Sequence, residues 1–123
     1  IEQKGMTISW GDFEKIDIRT GTIVEVEDFP DARKPAYRLL IDFGPEIGKR
    51  RSSAQITVHY NKENLVNTQI IAVVNFPPKR IAGFNTECLV LGAYDENKNV
   101  ILLRPDKPPT IGDKPVSNGL KIG

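Results

Sequence analysis

Histidine and cysteine are nearly missing from this sequence, which contains only one of each. A single cysteine cannot form an internal disulfide bond, and this is typical of a cytoplasmic protein. Cys88 belongs to the apolar run 88–91, so we interpret it as a buried small hydrophobe rather than a reactive thiol. The sequence therefore predicts a fold held together by its core alone.

The side chains that build catalytic and metal sites do not converge in this sequence. Such sites need several His, Cys or carboxylate groups close together, whereas His59 and Cys88 fall on different predicted strands. We expect His59 to be structural or on the surface, with hydrogen bonding to RNA as the alternative. Gly44 and Gly48 lack the spacing of a phosphate-binding loop. We therefore expect no catalytic residue, no metal and no cofactor.

Long hydrophobic runs and a targeting segment are lacking as well. No apolar stretch approaches the roughly 20 residues of a membrane-spanning helix. Residues 1–6 have neither the basic nor the apolar part of a signal peptide. We interpret Met6 as the natural start and residues 1–5 as a cloning remnant. The expected organisation is an N-terminal extension over residues 1–9 and one domain over residues 10–123, without membrane insertion.

Charge of one sign is not in excess, because 17 basic residues oppose 16 acidic ones. A protein that coats nucleic acid is usually far more basic. The basic residues are nevertheless grouped at positions 33–34, 49–51 and 79–80. Such clusters offer patches to an anionic partner, although charge alone favours solvated loop tips.

Period-two alternation is abundant, and it indicates strands with one buried face. Strands are expected over residues 16–27, 37–43, 51–58, 69–75, 86–94 and 100–104. The residues expected to face inward on the first three strands are Ile16, Ile18, Thr20, Thr22, Val24 and Val26, then Tyr37, Leu39, Ile41 and Phe43, then Ser52, Ala54, Ile56 and Val58. Gly21, in the middle of the first strand, predicts a bulge or sharp bend.

Helical and turn signals separate these strands. Ser9 or Asp12 is expected to cap one helical turn over residues 9–15, and Asn61 a short helix over residues 61–66. Pro77 and Pro78 cannot continue a strand, and residues 95–99 form the turn of a hairpin. The order of elements predicts an all-β fold, a five-stranded Greek-key barrel of OB type with short helices and an added C-terminal β-tail.

The binding face of an OB barrel lies on its second and third strands and the adjoining loops. Cationic groups there suit phosphate, and Ser or Gln suits a base edge. The candidate nucleic-acid-binding residues are Arg33, Lys34, Arg38, Arg50, Arg51, Ser53, Gln55, Lys79 and Arg80. Phe84 is a candidate for base stacking, with a place in the core as an equal alternative, whereas Tyr37 is expected in the core.

Three segments together resemble a known family. Residues 13–23, Phe-Glu-Lys-Ile-Asp-Ile-Arg-Thr-Gly-Thr-Ile, are similar to the opening of the tRNA-binding domain with an EMAP II-like OB-fold. Residues 51–57 and 73–81 are most similar to the CsaA-like branch of that family. The resemblance runs from about Trp10 to Gly123.

The resemblance implies a homodimeric, secretion-related chaperone that binds unfolded or precursor polypeptides. Phe76, Ile81 and Phe84 are the candidate peptide-binding residues. Trp10, Phe13 and Leu120 are the candidate dimer contacts, with packing against their own barrel as the alternative.

The alternative function is binding of tRNA or another structured RNA through the basic patches. The sequence departs from the tRNA-binding pattern at Phe29-Pro30, Ala54-Gln55 and residues 86–89, where those domains often carry His-Pro, Ser-Gly and Ser-x-Gly-Met. These departures fit the CsaA-like branch. A third alternative is a dimeric scaffold domain without a ligand of its own.

Overall fold

The computed structural model describes residues 6–106, 110–111, 114–115 and 117–123. Residues 1–5, the predicted remnant, lie outside the described residues. In chain order the elements are α1 (Trp10–Glu14), β1 (Ile18–Asp28), β2 (Tyr37–Asp42), β3 (Lys49–Ala54), α2 (Lys62–Leu65), β4 (Gln69–Val73), β5 (Lys79–Ile81), β6 (Phe84–Thr86), β7 (Leu89–Val90), β8 (Gly92–Tyr94), β9 (Val100–Leu102), β10 (Thr110–Ile111) and β11 (Lys114–Pro115). Within these described residues, no helix has the length and apolar composition needed to cross a membrane.

Five strands form one antiparallel sheet in the order β3-β2-β1-β4-β7. The long strand β1 lies at the centre, since its first half pairs with β4 and its second half with β2. The sheet curls until the segment before β7 meets β3, where Glu87 N–H donates to the Arg51 carbonyl at 2.7 Å. The result is a nearly closed five-stranded barrel, which confirms the predicted OB-type fold.

The core fills the inside of this barrel. β2 contributes Tyr37, Leu39 and Ile41, all buried as the alternation predicts, and Phe43 follows them at 1% exposure. The other members of the buried cluster are Ile23, Ile56, Leu65, Ile70, Ala72, Val74, Cys88 and Leu102. Burial of each large apolar side chain contributes roughly 1.5–3 kcal/mol. The prediction that Tyr37 and Cys88 belong to the core is confirmed.

The predicted inward face of β1 is wrong for the first half of the strand. Ile23, assigned to the outer face, is fully buried opposite Ile41, whereas Ile16 is 37% exposed and precedes the strand. A bulge between Ile23 and Glu25 then changes the alternation, so that Val26 also packs against the core. Alternation with a period of two cannot reveal such a bulge, because the sequence is apolar on both sides of it.

Gly21 serves a different purpose from the predicted bulge. A Cβ atom at this position would lie 2.7 Å from the Phe43 ring and 2.8 Å from the Ile41 side chain. These distances are far shorter than van der Waals contact, so only glycine lets Phe43 pack against the backbone of β1.

Helix caps agree with the sequence, whereas the end of the third strand does not. Ser9 Oγ accepts a hydrogen bond from Asp12 N–H at 3.1 Å, and Asn61 Oδ1 accepts one from Asn64 N–H at 2.7 Å. Both are capping boxes. β3 ends at Ala54, so Val58, predicted to face inward, is 66% exposed.

The region after β4 folds into hairpins that the sequence does not predict as such. β5 and β6 pair around Ala82 and Gly83, whose φ angles of 47° and 80° are those of a tight two-residue turn. The predicted strand over residues 86–94 is divided among β6, β7 and β8. The hairpin turn at residues 95–99 is confirmed, with Asp95 Oδ1 accepting from Asn97 and Asn99 N–H.

The C-terminal segment runs back along β1 and covers the face that the alternation assigned to the core. Thr20 Oγ1 donates to the Ser117 carbonyl at 2.9 Å, and Thr22 Oγ1 to Asn118 Oδ1 at 2.8 Å. Main-chain bonds join Thr20 to Leu120 and Ile18 to Ile122. Both faces of the first half of β1 are therefore covered.

Candidate binding surface

An open groove of about 1160 Å³ lies where the seam between β3 and β7 widens. One wall is the end of β3 with the loop between β1 and β2, and the other is β7 with the hairpins β5–β6 and β8–β9. Its apolar lining includes Ile81, Leu89, Val90, Tyr94 and Val100. Leu89 and Tyr94 are 48% and 76% exposed, so the groove presents apolar surface to solvent that could be buried by a partner.

The polar part of the groove is mainly basic. Arg33, Lys34 and Lys98 line it, and Asp31 is the acidic residue in its lining. Ser53 and Gln55 add neutral hydrogen-bonding groups on the β3 wall. Four predicted nucleic-acid-binding residues (Arg33, Lys34, Ser53, Gln55) and one predicted peptide-binding residue (Ile81) thus meet in one groove.

Arg38 lies beside this groove between two aromatic rings. Its guanidinium carbon is 5.6 Å from the Phe29 ring centroid and 5.8 Å from that of Phe84, within range of cation–π attraction. The two rings meet edge to face at 5.5 Å, and Glu27 Oε1 is 3.5 Å from Arg38 Nη2. Phe84 is half-buried and its ring already contacts a cation. This position lies between the two predicted alternatives, an exposed ring for base stacking and a place in the core.

Arg50 and Arg51, both predicted to bind nucleic acid, point to opposite faces of β3. The Arg50 guanidinium donates to the Val74 carbonyl at 2.7 Å, so it braces β3 against the end of β4. Arg51 is exposed and, with Arg38, Glu25, Glu27 and Phe84, lines a second pocket of about 350 Å³. Arg51, but not Arg50, therefore joins the surface around the groove.

The remaining predicted residues divide between the groove edge and the far end of β4. Lys79 and Arg80 are exposed on β5, and the Arg80 guanidinium donates to Asn85 Oδ1 at 2.9 Å. Phe76, at 54% exposure, follows β4 and is not part of the groove lining. Of the predicted peptide-binding set, Ile81 lines the groove, Phe84 lines the second pocket, and Phe76 lines neither.

His59 connects the β8–β9 hairpin to the barrel. Its Nε2 lies 2.7 Å from Asp95 Oδ2 at the start of the β8–β9 turn. This hydrogen bond, with two from the turn amides, holds the pKa of the Asp95 carboxyl below its ordinary value. Nearby, Leu102 N–H donates to the Tyr60 hydroxyl at 3.0 Å. In the described part of the chain, no three His, Cys, Asp or Glu side chains are grouped so that they could hold a metal ion.

The Cys88 thiol is unreactive in this environment. Burial raises the pKa of its thiol to about 12, and its Sγ lies 3.7 Å from the Arg51 carbonyl oxygen. The thiolate, which is the reactive form, is therefore scarce at neutral pH.

The predicted dimer contacts lie at the opposite end of β1 from the groove loop. Trp10 is 83% exposed on α1, Leu120 is 47% exposed beside β1, and Phe13 is half-buried. Asn75 connects the end of β4 to the segment between α1 and β1. Its side chain donates to the Lys15 carbonyl at 2.7 Å and accepts from Asp17 N–H at 2.9 Å. Trp10 does not pack against its own barrel.

Sequence reasoning missed several residues of the groove. The sequence predicts only a hairpin over this region, and it assigns no binding role to Leu89, Tyr94 or Lys98. Lys98 has a φ of 64°, a left-handed conformation that nothing in the alternation signals. Whether these residues line the groove depends on how the hairpins β5–β6 and β8–β9 pack near β3, and no local sequence pattern encodes that packing.

Comparison with known proteins gives a consistent result. A family profile described as putative tRNA binding domain matches residues 18–114. The methionine–tRNA ligase of Pyrococcus furiosus is 40% identical over 113 residues, which are 92% of this chain and 15% of the ligase. The chain therefore spans about 15% of the length of such ligases.

Solved structures extend the likeness over whole chains. The chaperone CsaA of Bacillus anthracis is 50% identical with a TM-score of 0.84, covering 95% of this chain and 99% of that one. The CsaA chaperone protein of Picrophilus torridus is 53% identical with the same TM-score, covering 95% and 100%.

Proposed function

Because the chain belongs to the putative tRNA-binding-domain family, as a CsaA-like protein within it, we propose that it is a non-catalytic, secretion-related chaperone of the cytoplasm that binds unfolded or precursor polypeptides as a homodimer. One observation carries this proposal: the groove beside β3 exposes apolar side chains between basic ones. An unfolded polypeptide offers what such a surface needs, apolar side chains together with an accessible main chain.

The proposed homodimer rests on the exposed apolar side chains at the α1 end of β1. A tryptophan that is 83% exposed in the monomer is unusual, since large aromatic residues are enriched at protein interfaces. Leu120, at 47% exposure, adds to the same proposal. Light scattering should give about twice the chain mass of 13.7 kDa, and Trp10→Asp should give a monomer.

The experiment that tests polypeptide binding is a titration. A fluorescent peptide from the N-terminal part of a secreted precursor is added to the protein, and saturable anisotropy is expected. Ile81→Asp, in the groove, should weaken binding about tenfold, since roughly 1.5 kcal/mol of apolar burial is lost. Val58→Asp, an exposed position outside the groove lining, is the matched control. Absence of saturable binding to the wild-type dimer contradicts the proposal.

A second function, binding of tRNA or another structured RNA, is supported by a separate observation. Arg33, Lys34, Arg51, Lys79 and Arg80 are exposed around the groove, and the matching family profile is that of a tRNA-binding domain. Affinity for bulk tRNA should then fall with salt, by about 0.7–0.9 in log K per phosphate contact for each unit of log salt concentration.

The tRNA proposal has its own control. Lys79→Ala should reduce the salt slope by about one contact, whereas Lys15→Ala, at the C-cap of α1, should leave it unchanged. Weak binding with no salt dependence would argue against a tRNA ligand and leave the chaperone function standing.

A further inference from the structure

We propose that a client polypeptide binds in the groove as an added β-strand on the free edge of β3, with acidic side chains flanking its apolar ones; this mode rests on the polypeptide-binding function proposed above. The edge in question is the main chain at Ser53. The groove provides room for the guest strand, and the basic side chains that line it favour an acidic client.

The direction of the main chain on β3 follows from its hydrogen bonds. Arg51 N–H donates to Glu87 Oε1 at 2.9 Å and its carbonyl accepts from Glu87 N–H, so both groups point away from β2. In an antiparallel ladder this orientation repeats every second residue. Ser53, paired in register with Arg38 on β2, therefore also directs its N–H and carbonyl away from β2 and toward the groove.

Beyond Arg51, the contacts from β3 to β6 and to the segment before β7 involve side chains. Among the described residues, no main-chain hydrogen bond joins Ser53 to the segment that leads into β7. Ser52 Oγ donates to the Cys88 carbonyl at 2.9 Å, and Ser53 Oγ lies 3.3 Å from Thr86 Oγ1 on β6. An unpaired strand edge is a ready template for an extended chain, because it satisfies main-chain groups that otherwise face only water.

The groove is lined by the end of β3 and by the residues that follow it. Ser53, Ala54, Gln55 and Ile56 all line it, and β3 ends at Ala54. The main-chain groups available to a guest strand are therefore those of Ser53, next to the last residue of the strand. A guest strand there would set alternate side chains against Ile81 and Leu89 on the opposite wall.

The charge of the rim favours acidic clients. Three cations, Arg33, Lys34 and Lys98, line the groove together with one carboxylate, Asp31. Complementary charge raises the rate of encounter and fixes orientation, while like charges disfavour the wrong partner. A segment with apolar residues between glutamates or aspartates fits this rim, and one between lysines does not.

The probe is a ten-residue fluorescent peptide of alternating Val and Thr with two Glu at each end, titrated against the full chain. Each peptide amide is N-methylated in turn, which removes one N–H donor at a time. If the peptide adds to β3, binding should weaken roughly tenfold at the one position whose N–H donates to the Ser53 carbonyl and change little at the others. Loss at every position, or at none, overturns strand addition while leaving polypeptide binding intact.

Two protein variants make an independent check. Ser53→Pro removes the N–H that faces the groove and should weaken the peptide about tenfold, whereas Ser53→Ala, which keeps it, should not. An unchanged circular dichroism spectrum verifies that Ser53→Pro folds, and edge strands tolerate proline.

The charge requirement is tested by reversal. Arg33→Glu with Lys98→Glu should weaken the Glu-ended peptide about tenfold and improve binding of a Lys-ended version. Lys15→Glu, at the C-cap of α1, serves as the control. Equal affinity for both peptides in every variant overturns the acidic-client assignment. No binding of any peptide overturns this inference and the proposed chaperone function together.

Discussion

The two sides of the barrel are built differently. On one side β1, β2 and β4 form long antiparallel ladders with one bulge in β1, and Ile23, Ile41 and Ile70 are completely buried there. On the other side the strands from β5 to β9 are two or three residues long and are held to β3 by a few isolated bonds. The closed side can supply stability, while the open side keeps main-chain groups and apolar side chains available for a partner.

The largest expected effect comes from the closed side. Phe43→Ala removes a ring that is 1% exposed and should lower the free energy of unfolding by about 3–5 kcal/mol. Tyr94→Ala, on the open side at 76% exposure, should change it by less than about 0.5 kcal/mol. Urea unfolding of both variants measures the contrast, and comparable losses would remove the distinction between the two sides.

Gly21→Ala should have the next largest effect. The added Cβ would lie 2.7 Å from the Phe43 ring, and overpacking of this kind costs about 1–3 kcal/mol. Gly123→Ala has no atom within 4 Å of its added Cβ and is the control. Thermal unfolding compares them, and an unchanged midpoint for Gly21→Ala would mean that the β1 backbone yields easily.

Ser52→Ala tests a hydrogen bond that joins β3 to the residue before β7. It leaves the buried Cys88 carbonyl without its 2.9 Å donor and should cost about 1–3 kcal/mol. Hydrogen exchange at Leu89 and Val90 should accelerate more than exchange in β2. Ser53→Ala, whose Oγ makes only a 3.3 Å contact with Thr86, is the matched control. Uniform acceleration throughout the chain would show that the seam does not open separately.

The smallest expected effect concerns Asp95. Because His59 and the turn amides lower the pKa of this carboxyl from its ordinary value of 3.8, the carboxylate contributes stability that is present above that value. This contribution is lost as the pH falls through the lower folded pKa. Asp95→Asn keeps an oxygen acceptor for the turn but cannot titrate, so its stability should fall less steeply below pH 3.8. Parallel acid-unfolding curves for both proteins would contradict this.

The predictable part of the structure is the part that depends on residues close in sequence. The inward face of β2, the caps at Ser9 and Asn61, and the turn at Asp95 all follow from spacings of two to four residues. The groove could be predicted only in fragments. Arg33, Lys34, Ser53 and Gln55 were identified from their residue types and places, whereas Tyr94 and Leu89 were not.

The errors have a common cause in contacts between distant residues. Ile23 is buried because a bulge changes the alternation of β1, and Thr20 is covered because the C-terminal segment returns to it. Arg50 and Arg51 are adjacent in the chain, yet one braces the end of β4 and the other faces the second pocket. Residue type alone assigned both to the same role.

By itself, the sequence determined that this is a small all-β barrel with short capped helices, since alternation and capping act within a few residues. It also determined the supply of basic and apolar side chains for binding. Only the tertiary structure decided where the barrel stays open and which cations meet there. That outcome depends on how far β7 and its hairpins lie from β3, a distance fixed by contacts between residues more than thirty positions apart, such as Ser52 and Cys88.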